Sequence, residues 1–472
     1  EDENIVQAIP NAKASEWMEE NIPLFECPQH NFEEMYYYRW WSIRKHIKET
    51  PVGYGMTEFL VQRSYSDKYN LIACAIGHHI YESRWLRDPK YLDQIIHTWY
   101  RGNDGGPMKK MDKFSSWNAD AVLARYMVDG DKDYLLDMKK DLETEYQRWE
   151  RTNRLKNGLY WQGDVQDGME ESISGGRRKK YARPTINSYM YGNAKALSCI
   201  GILSGDEGMA MKYGMRADTL KNLVENELWN KRHQFFETMR MDSSANVREA
   251  IGYIPWYFNL PDTTQKYEIA WKEIMDAKGF SAPYGLTTAE RRHPEFRTRG
   301  VGKCEWDGAI WPFASAQTLT AMANFMNNYP QTVLSDSVYF RQMELYVESQ
   351  YHRGRPYIGE YLDEVTGYWL KGDQERSRYY NHSTFNDLII TGLIGLRPRL
   401  DNTIEVNPLI PADKWDWFCL DNVLYHGHNL TILWDKNGDR YHCGKGLRIF
   451  VDGKEVGHTD TLTRIVCENV LK

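Results

Sequence analysis

The sequence predicts a mainly α-helical fold, an (α/α)6 barrel in which a ring of inner helices lies inside a ring of outer helices. Helical patterns extend from about residue 29 to residue 396. Nearly uncharged segments alternate with amphipathic ones, as residues 186–202 and 206–227 illustrate. A buried helix is apolar on all sides, whereas a surface helix is apolar along one stripe. After Pro398 the pattern changes to short β-rich segments, which predict a small appendage.

The helical region divides into segments separated by long loops rich in Gly, Pro and Trp. Long loops in a compact domain are usually functional, so we expect the functional site to lie in these loops. Hydrophobic periodicity predicts helices over residues 30–48, 69–86, 90–101, 114–128, 132–151, 185–204, 207–228, 245–259, 262–277, 309–327, 333–350 and 377–396.

The C-terminal part of the chain predicts an antiparallel β appendage. Asp435-Lys436-Asn437-Gly438 and Asp452-Gly453 are hairpin-turn signals between its segments. No flexible linker precedes it, so we expect a barrel over residues 1–398 and an appendage over 399–472 that packs on it. The β-branched and aromatic segments are residues 403–406, 430–434, 440–441 and 447–451.

Composition narrows the classes of function. The net charge of the 472 residues is −7 with both signs interspersed, which argues against nucleic acid because that partner requires a basic face. The chain has 17 Trp, 32 Tyr and 15 Phe, and 42% of its residues are hydrophobic. Aromatic side chains fill cores, and they also stack on flat apolar faces such as those of sugar rings. The aromatic excess therefore favours a carbohydrate site.

Two acidic loops about 190 residues apart carry the chemistry. The first spans residues 163–172 and contains Asp164, Asp167, Glu170 and Glu171, and the second spans residues 359–367. Hydrolysis of a glycosidic bond requires two carboxyl groups in one pocket. One protonates the leaving oxygen, and the other activates water or attacks the sugar. We therefore expect the two loops to meet.

Three motifs resemble those of glycoside hydrolase family 63. Gly168-Met169-Glu170-Glu171-Ser172 resembles its Ser-Gly-Met/Leu-Asp-Asn/Asp-Ser loop, and Ile358-Gly359-Glu360-Tyr361 resembles its Gly-Glu-Asn-Tyr loop. The segment from Cys304 to Pro312 is similar to a Trp-rich motif of that family and of family 37 trehalases. These motifs occur in the same order in those families. The resemblance implies a six-hairpin (α/α)6 inverting glycosidase.

The resemblance implies that Glu170 is the general acid and Glu360 the general base. The family has Asp where this chain has Glu170, so the pocket must accommodate one more methylene. The residues alone leave Asp167, Glu171 and Asp307 as alternatives for the acid, and Asp363 and Glu364 as alternatives for the base. An acid needs a raised pKa, which burial or a neighbouring carboxylate supplies.

Further residues are expected to bind the sugar. Trp306 and Trp311 are candidates for stacking, Asp307 for binding hydroxyls, and Asp164 and Tyr361 adjoin the two carboxylates. The segment from Tyr65 to Asn70 loosely resembles a stretch of related barrels in which an Asp binds hydroxyls, which implies that role for Asp67. The remaining candidates are Arg39, Trp40, Tyr65 and His382.

The leading hypothesis is an inverting exo-glycosidase that releases a terminal sugar, with the α-linked gluco configuration implied by the resemblance. One alternative is a polysaccharide lyase acting on a uronate, for which Tyr379, Tyr380, His382 and the arginines at 376 and 378 are candidates. Another is a carbohydrate-binding protein without catalysis. The hypothesis implies an oligosaccharide or polysaccharide substrate and a monomer or weak dimer.

Neither a cofactor nor a metal is expected, because the seven cysteines are scattered without metal-ligand spacing. No run of 18 apolar residues predicts a membrane span. The chain opens Glu1-Asp2-Glu3-Asn4 without Met, which indicates that an export signal was removed. We expect a bacterial periplasmic or secreted location.

Overall fold

A computed structural model describes residues 7–263 and 266–471. The opening Glu1-Asp2-Glu3-Asn4 lies outside the described residues. The α-helices are α1 Ala14–Asn21, α2 His30–His46, α3 Ile76–Ser83, α4 Lys90–Arg101, α5 Asn118–Asp129, α6 Lys132–Asn153, α7 Pro184–Ser204, α8 Glu207–Leu223, α9 Ile254–Tyr257, α10 Pro312–Asn328, α11 Asp336–Ser349 and α12 Asn386–Leu388.

The strands are short outside the C-terminal region. They are β1 Leu24–Glu26, β2 Ile47–Thr50, β3 Gly53–Met56, β4 Trp161–Gln162, β5 Tyr181–Ala182, β6 Trp229–Asn230, β7 Phe235–Phe236, β8 Met239–Arg240, β9 Ser243–Ser244, β10 Ser281–Ala282, β11 Gly285–Leu286, β12 Tyr351–His352, β13 Arg355–Pro356, β14 Ile404–Val406, β15 Trp417–Tyr425, β16 His428–Asp435, β17 Gly446–Val451, β18 Lys454–Thr459 and β19 Ile465–Cys467. The chain is therefore mainly helical with a small antiparallel sheet near its C-terminus.

Local sequence signals set the helix ends. The Asp206 side chain accepts a hydrogen bond from the Met209 backbone nitrogen at 3.0 Å and caps the start of α8. Pro184 opens α7, where a missing N–H costs nothing. Gly205 ends the same helix with φ 71°, a left-handed conformation that glycine adopts without strain.

Consecutive helices differ in burial as the charge pattern predicts. Helix α7 is buried over most of its length and packs against α5, α6 and α8. Helix α8 buries one stripe and leaves Met211 and Met215 exposed. The nearly uncharged segment is thus the inner one of the pair, and the amphipathic segment is the outer one.

The prediction of a helix over residues 377–396 is mostly wrong. Only α12 and a π-helical turn, Ile389–Leu393, are helical there. The residues just before α12 form turns and irregular backbone, and their backbone groups bind loops rather than one another. The Asn381 nitrogen donates to the Glu58 carbonyl at 2.9 Å, and the Tyr380 nitrogen donates to the Ile358 carbonyl at 3.2 Å.

Two other predicted helices are shorter or tighter than expected. Within residues 245–259 the chain forms a 3-10 turn, Ala250–Tyr253, followed by the single turn α9. Gly252 packs directly against Phe235 and the Phe236 backbone, so the chain bends closely around this hairpin. Among the described residues of 262–277, the helical part is a 3-10 helix, Glu268–Ile274.

The C-terminal sheet has five antiparallel strands in the order β1-β15-β16-β17-β18. Its first strand comes from the N-terminal region, a pairing that local sequence patterns do not predict. The predicted strand at residues 440–441 is wrong. The Asp435 carboxylate accepts hydrogen bonds from the Arg440 and Tyr441 nitrogens at 2.8 and 2.9 Å, which holds this segment in a turn.

The C-terminal region packs on the helices through aromatic contacts. Trp415 is 1% exposed and lies against Phe25, Phe32 and Phe340. The His426 backbone nitrogen donates to the carbonyl of Val128, at the end of α5, at 2.7 Å. In residues 7–263 and 266–471, no helix is both long enough and apolar enough to span a membrane.

A substitution at Gly77 tests how tightly the buried helices pack. A Cβ at this position in α3 would overlap the indole ring of Trp117. We expect Gly77→Ala to lower the free energy of unfolding by about 1–3 kcal/mol, the usual cost of overfilling a packed core. Chemical denaturation measures the change.

The matched control is Gly208→Ala at the start of α8, where the nearest atom to a Cβ is 3.7 Å away. Alanine there is expected to leave stability unchanged or to raise it slightly. Equal effects of the two substitutions would contradict the described packing of α3 on Trp117.

Candidate active site

A cavity of about 330 Å³ lies where several buried helices begin. Most of its wall segments precede a helix along the chain, and Phe313 lies in the first turn of α10, so the N-terminal ends of those helices face one space. Ile72 and Cys74 precede α3, Lys113 and Phe114 precede α5, Val165 to Glu170 precede α7, Cys304 and Trp311 precede α10, and Arg376 to His382 precede α12.

The two sequence-predicted carboxylates meet in this cavity. Glu170 and Glu360 both line it, although 190 residues separate them. Glu360 is 5% exposed, and Glu170 is partly buried. Tyr65, Trp311 and His382, which the sequence suggested as substrate contacts, line the same cavity.

The loop that carries Glu170 is anchored by a buried ion pair. The Arg183 Nε donates to Asp167 Oδ2 at 2.6 Å, and both side chains are fully buried. Thr185 donates to the same oxygen at 2.5 Å, and Ser115 donates to Oδ1. Because Arg183 immediately precedes α7, these bonds fix the loop to the beginning of that helix. With both oxygens engaged, Asp167 is poorly suited to be the acid.

The environment of Glu170 favours a protonated carboxyl group. Burial raises the pKa of Glu170 to about 7, and the negative charges of Asp164 and Glu360 act in the same direction. No ion pair to Glu170 is found in the part of the chain that the structure describes. A carboxyl group with this pKa can donate a proton near neutral pH.

Glu360, in contrast, lies beside cationic side chains. Its Oε2 atom accepts a hydrogen bond from Arg376 Nη2 at 2.9 Å and lies 3.6 Å from Lys371 Nζ. Two positive charges therefore flank this carboxylate. Two carboxyl groups with such different surroundings are the usual basis for separate acid and base roles.

Glu58 is a third carboxyl group of the cavity that sequence reasoning missed. It accepts hydrogen bonds from the Tyr380 hydroxyl at 2.7 Å and the Cys74 thiol at 3.1 Å. Burial raises the pKa of Glu58 to about 7, although these two bonds act against the rise. A single Glu in a loop after β3 gives no sequence signal. Arg376, which pairs with Glu360, was considered only as a contact in a lyase.

One wall of the cavity is a stack of aromatic rings. Trp311 lies between Trp306 and Tyr361, with ring centroids 4.5 Å apart on each side. Trp311 lines the cavity, and Trp306 and Tyr361, which do not line it, cover the two faces of its ring. The His382 ring is 2% exposed, and its nitrogens have no hydrogen-bond partner among the described residues. Burial lowers the pKa of His382 well below its usual value, so the ring is neutral.

Three N-terminal candidates lie outside the cavity wall. The Asp67 carboxylate accepts from the backbone nitrogens of Lys68 and Lys110, at 2.7 and 2.5 Å, so both oxygens hold loops together. Arg39 donates to Gln350 at 2.9 Å and to the Ser383 carbonyl at 2.7 Å. Trp40 is fully buried in the core. None of these three is among the cavity-lining residues that the structure describes.

The remaining acidic candidates also make structural contacts. Asp164 accepts from the Val165 nitrogen at 2.8 Å, and Asp307 accepts from the Arg299 and Gly300 nitrogens at 2.6 and 2.9 Å. Glu171 pairs with Arg177 at 3.1 Å, and Glu364 pairs with Arg297 at 2.5 Å. The Asp363 carboxylate accepts three hydrogen bonds from Val365 and Thr366. No cluster of three metal-ligand side chains occurs among residues 7–263 and 266–471.

Comparison with known proteins identifies the family. The model of the mannosylglycerate hydrolase MGH1-like glycoside hydrolase domain matches residues 68–383, which include both Glu170 and Glu360. The chain belongs to this family. A second model, the C-terminal domain of glycosyl hydrolase family 65, matches residues 396–458. The resemblance to glycoside hydrolase family 63 is confirmed, and the chain carries a glycoside hydrolase domain.

Several solved structures are similar to this chain. A chain titled sialidase is 95% identical over all of this chain, with a TM-score of 0.99, and this chain covers 44% of its length. The GH63 mannosylglycerate hydrolase of Thermus thermophilus, in complex with glucose, is 13% identical, with a TM-score of 0.55 over 75% of this chain and 99% of its own. The GH78 rhamnosidase of a Bacillus species is 10% identical, with a TM-score of 0.61 over 91% of this chain and 41% of its own. The low identities of these two enzymes show a shared fold.

The raised pKa of Glu58 predicts a stability change with pH. In the unfolded chain this carboxyl group titrates near pH 4.5, and in the folded protein near pH 7. The folded state therefore binds the proton more tightly, and this contribution to stability is lost as the pH rises from about 4.5 to 7. Relative to Glu58→Gln, the wild type should lose on the order of 3 kcal/mol across that window.

Urea denaturation at pH 5 and pH 8 measures this difference. Glu375→Gln, an exposed carboxyl in the neighbouring loop, is the control and should follow the wild type at both pH values. A constant difference between wild type and Glu58→Gln across the window would rule out the raised pKa.

Proposed function

We propose that the chain is an inverting exo-glycoside hydrolase in which Glu170 is the general acid and Glu360 the general base. The observation that carries this proposal is that both carboxyl groups line one cavity, Glu170 with a raised pKa and Glu360 between two cationic side chains. The family of glycoside hydrolases to which the chain belongs supports hydrolysis over elimination or simple binding.

In the proposed reaction the Glu170 carboxyl gives its proton to the glycosidic oxygen as the bond to the anomeric carbon breaks. Water attacks that carbon from the opposite face, and Glu360 Oε1 accepts the water proton. Both cationic contacts of Glu360 use Oε2, which supports this division of the two oxygens. The product has the inverted anomeric configuration. Glu170 is then deprotonated and Glu360 protonated, and exchange with solvent restores both.

The substrate proposal is a terminal sugar, α-linked and of the gluco type. The cavity volume is at the lower end of the range for small-ligand sites, which supports binding of one terminal unit. Trp311 offers an apolar ring edge, since Trp306 and Tyr361 cover its two faces, and His382 and Glu58 offer polar groups for hydroxyls. Relatives titled as a sialidase, a mannosylglycerate hydrolase and a rhamnosidase make sialosides, mannosides and rhamnosides the competing substrates.

The architectural part of the proposal is an (α/α)6 barrel over residues 1–398 with a β appendage over 399–472. Its support is the cavity at the beginnings of the buried helices and the contrast between buried α7 and half-exposed α8. We also propose a monomer or weak dimer and a periplasmic or secreted location, on the basis of the substrate class.

Substitution of the two carboxyl groups tests the assignment. Glu170→Gln and Glu360→Gln should each reduce kcat/KM by roughly 100- to 10,000-fold, the usual contribution of a general acid or base. The assay is a panel of aryl glycosides and oligosaccharides that carry α-glucosyl, mannosyl, rhamnosyl, arabinosyl and sialyl ends.

Glu171→Gln is the matched control, because Glu171 is the neighbouring residue and pairs with Arg177 outside the cavity wall. It should retain activity within about threefold, since surface ion pairs contribute little. Activity that survives Glu170→Gln would assign the proton to another carboxyl group. Proton NMR of the first product would show retention if the inverting mechanism is wrong.

The pH dependence tests the acid independently. Because Glu170 must be protonated, kcat/KM should fall as the pH rises above about 7. The charge of Asp164 helps to raise the pKa of Glu170, so Asp164→Asn should lower that pKa and move the alkaline limb to lower pH. A limb that does not move in Asp164→Asn would point to Glu58 as the group being titrated.

A further inference from the structure

A second pocket, of about 340 Å³, lies beside the catalytic cavity. The two spaces share Lys113, and the loop that carries Glu170 contributes to both walls. Gly163 and Gln166 of that loop face the second pocket, whereas no residue of the loop that carries Glu360 lines it in the described parts of the chain. The second pocket is therefore on the acid's side of the cavity.

The hairpin from β4 to β5 brings a basic segment to this pocket. Trp161 pairs with Ala182 and Gln162 pairs with Tyr181, so the two ends of residues 163–180 lie next to each other. Between them lie the acid loop and then residues 177–180, with the sequence Arg-Arg-Lys-Lys. The Lys180 ammonium lies over the Trp161 ring, 4.6 Å from its centroid. This cation–π contact holds a positive charge at the pocket wall.

The pocket is strongly positive in a chain whose net charge is −7. Five cationic side chains line it, Lys113 and the four of residues 177–180, against one acidic residue, Asp112, which pairs with Arg148 at 2.8 Å. Arg177 pairs with Glu171 at 3.1 Å. For Arg178, Lys179 and Lys180, residues 7–263 and 266–471 supply no ion pair.

A run of basic residues is most often a solvated surface. The four residues of this run are exposed, but they form part of a pocket wall that also contains Trp149 and Trp161, and that pocket adjoins the catalytic cavity through Lys113. Partial burial lowers the pKa of Lys113, and repulsion from the nearby Lys110 adds a smaller effect in the same direction. An anionic ligand would relieve that repulsion, and complementary charge steers such ligands to the pocket.

We propose that the pocket binds an acidic sugar unit on the leaving-group side of the substrate. This rests on the proposed function, in which the terminal sugar occupies the cavity and Glu170 protonates the oxygen that leaves. Because the pocket is on the side of Glu170, the unit next to the cleaved bond occupies it. Its negative charge, a carboxylate or a sulfate ester, pairs with Arg178, Lys179 and Lys180. The substrate class is an acidic oligosaccharide.

Equilibrium binding without turnover tests this assignment. Trigalacturonate supplies carboxylates, a chondroitin sulfate tetrasaccharide adds sulfates, and maltotriose is the neutral reference. Each is titrated calorimetrically into the Glu170→Gln variant at 50 and 200 mM salt. We expect at least one acidic probe to bind at least tenfold more tightly than maltotriose and to weaken at the higher salt concentration. The two acidic probes distinguish carboxylate recognition from sulfate recognition.

Charge reversal locates the site. Arg178→Glu combined with Lys179→Glu, in the same background, should weaken binding of the acidic probe at least tenfold and leave maltotriose unchanged. Lys231→Glu with Arg232→Glu is the matched control, since it reverses two consecutive exposed cations outside the pocket and changes the net charge equally. Equal weakening by both pairs, or no preference for acidic probes, would overturn the proposal. These binding measurements do not require hydrolysis. A failure of the glycosidase assignment would instead be seen in the activity panel.

Discussion

The buried ion pair between Asp167 and Arg183 is the interaction on which the geometry of the site depends. Both side chains are fully buried, so the charges are tolerable only because each compensates the other and further hydrogen bonds satisfy the remaining atoms. The pair joins the loop that carries Glu170 to the beginning of α7. The same hairpin then returns through residues 177–180, so the acid and the basic pocket wall have one common anchor.

The cavity differentiates three chemically identical side chains by their surroundings. Glu170 is partly buried near other carboxylates, Glu360 is flanked by Arg376 and Lys371, and Glu58 receives hydrogen bonds from a hydroxyl and a thiol. Removing water from a carboxyl group favours its neutral form, while adjacent cations favour its charged form. These differences in surroundings support an acid at Glu170 and a base at Glu360.

The candidate acid and base that the sequence motifs indicated both line the cavity. Glu170, Glu360 and Trp311 belong to motifs with a characteristic order, and these three residues meet in one cavity. Asp67 rested on a looser resemblance, and the structure engages its carboxylate with backbone nitrogens. Glu58 has no motif around it, and the irregular segment before α12 brings Tyr380 to it. Because the sequence predicts a helix over residues 377–396, it does not predict the contact between Tyr380 and Glu58.

The sequence by itself determined that the chain is mainly helical with a C-terminal β region, because hydrophobic periodicity and turn residues are local properties. It also determined which two loops bear the candidate acid and base. Only the tertiary structure decided that β1, from Leu24 to Glu26, joins the C-terminal sheet and that Glu58 shares the cavity. Only the tertiary structure placed residues 177–180 beside Trp161 and the acid loop. These contacts depend on packing between segments that are distant in the sequence, and the spacing of residues along the chain does not predict that packing.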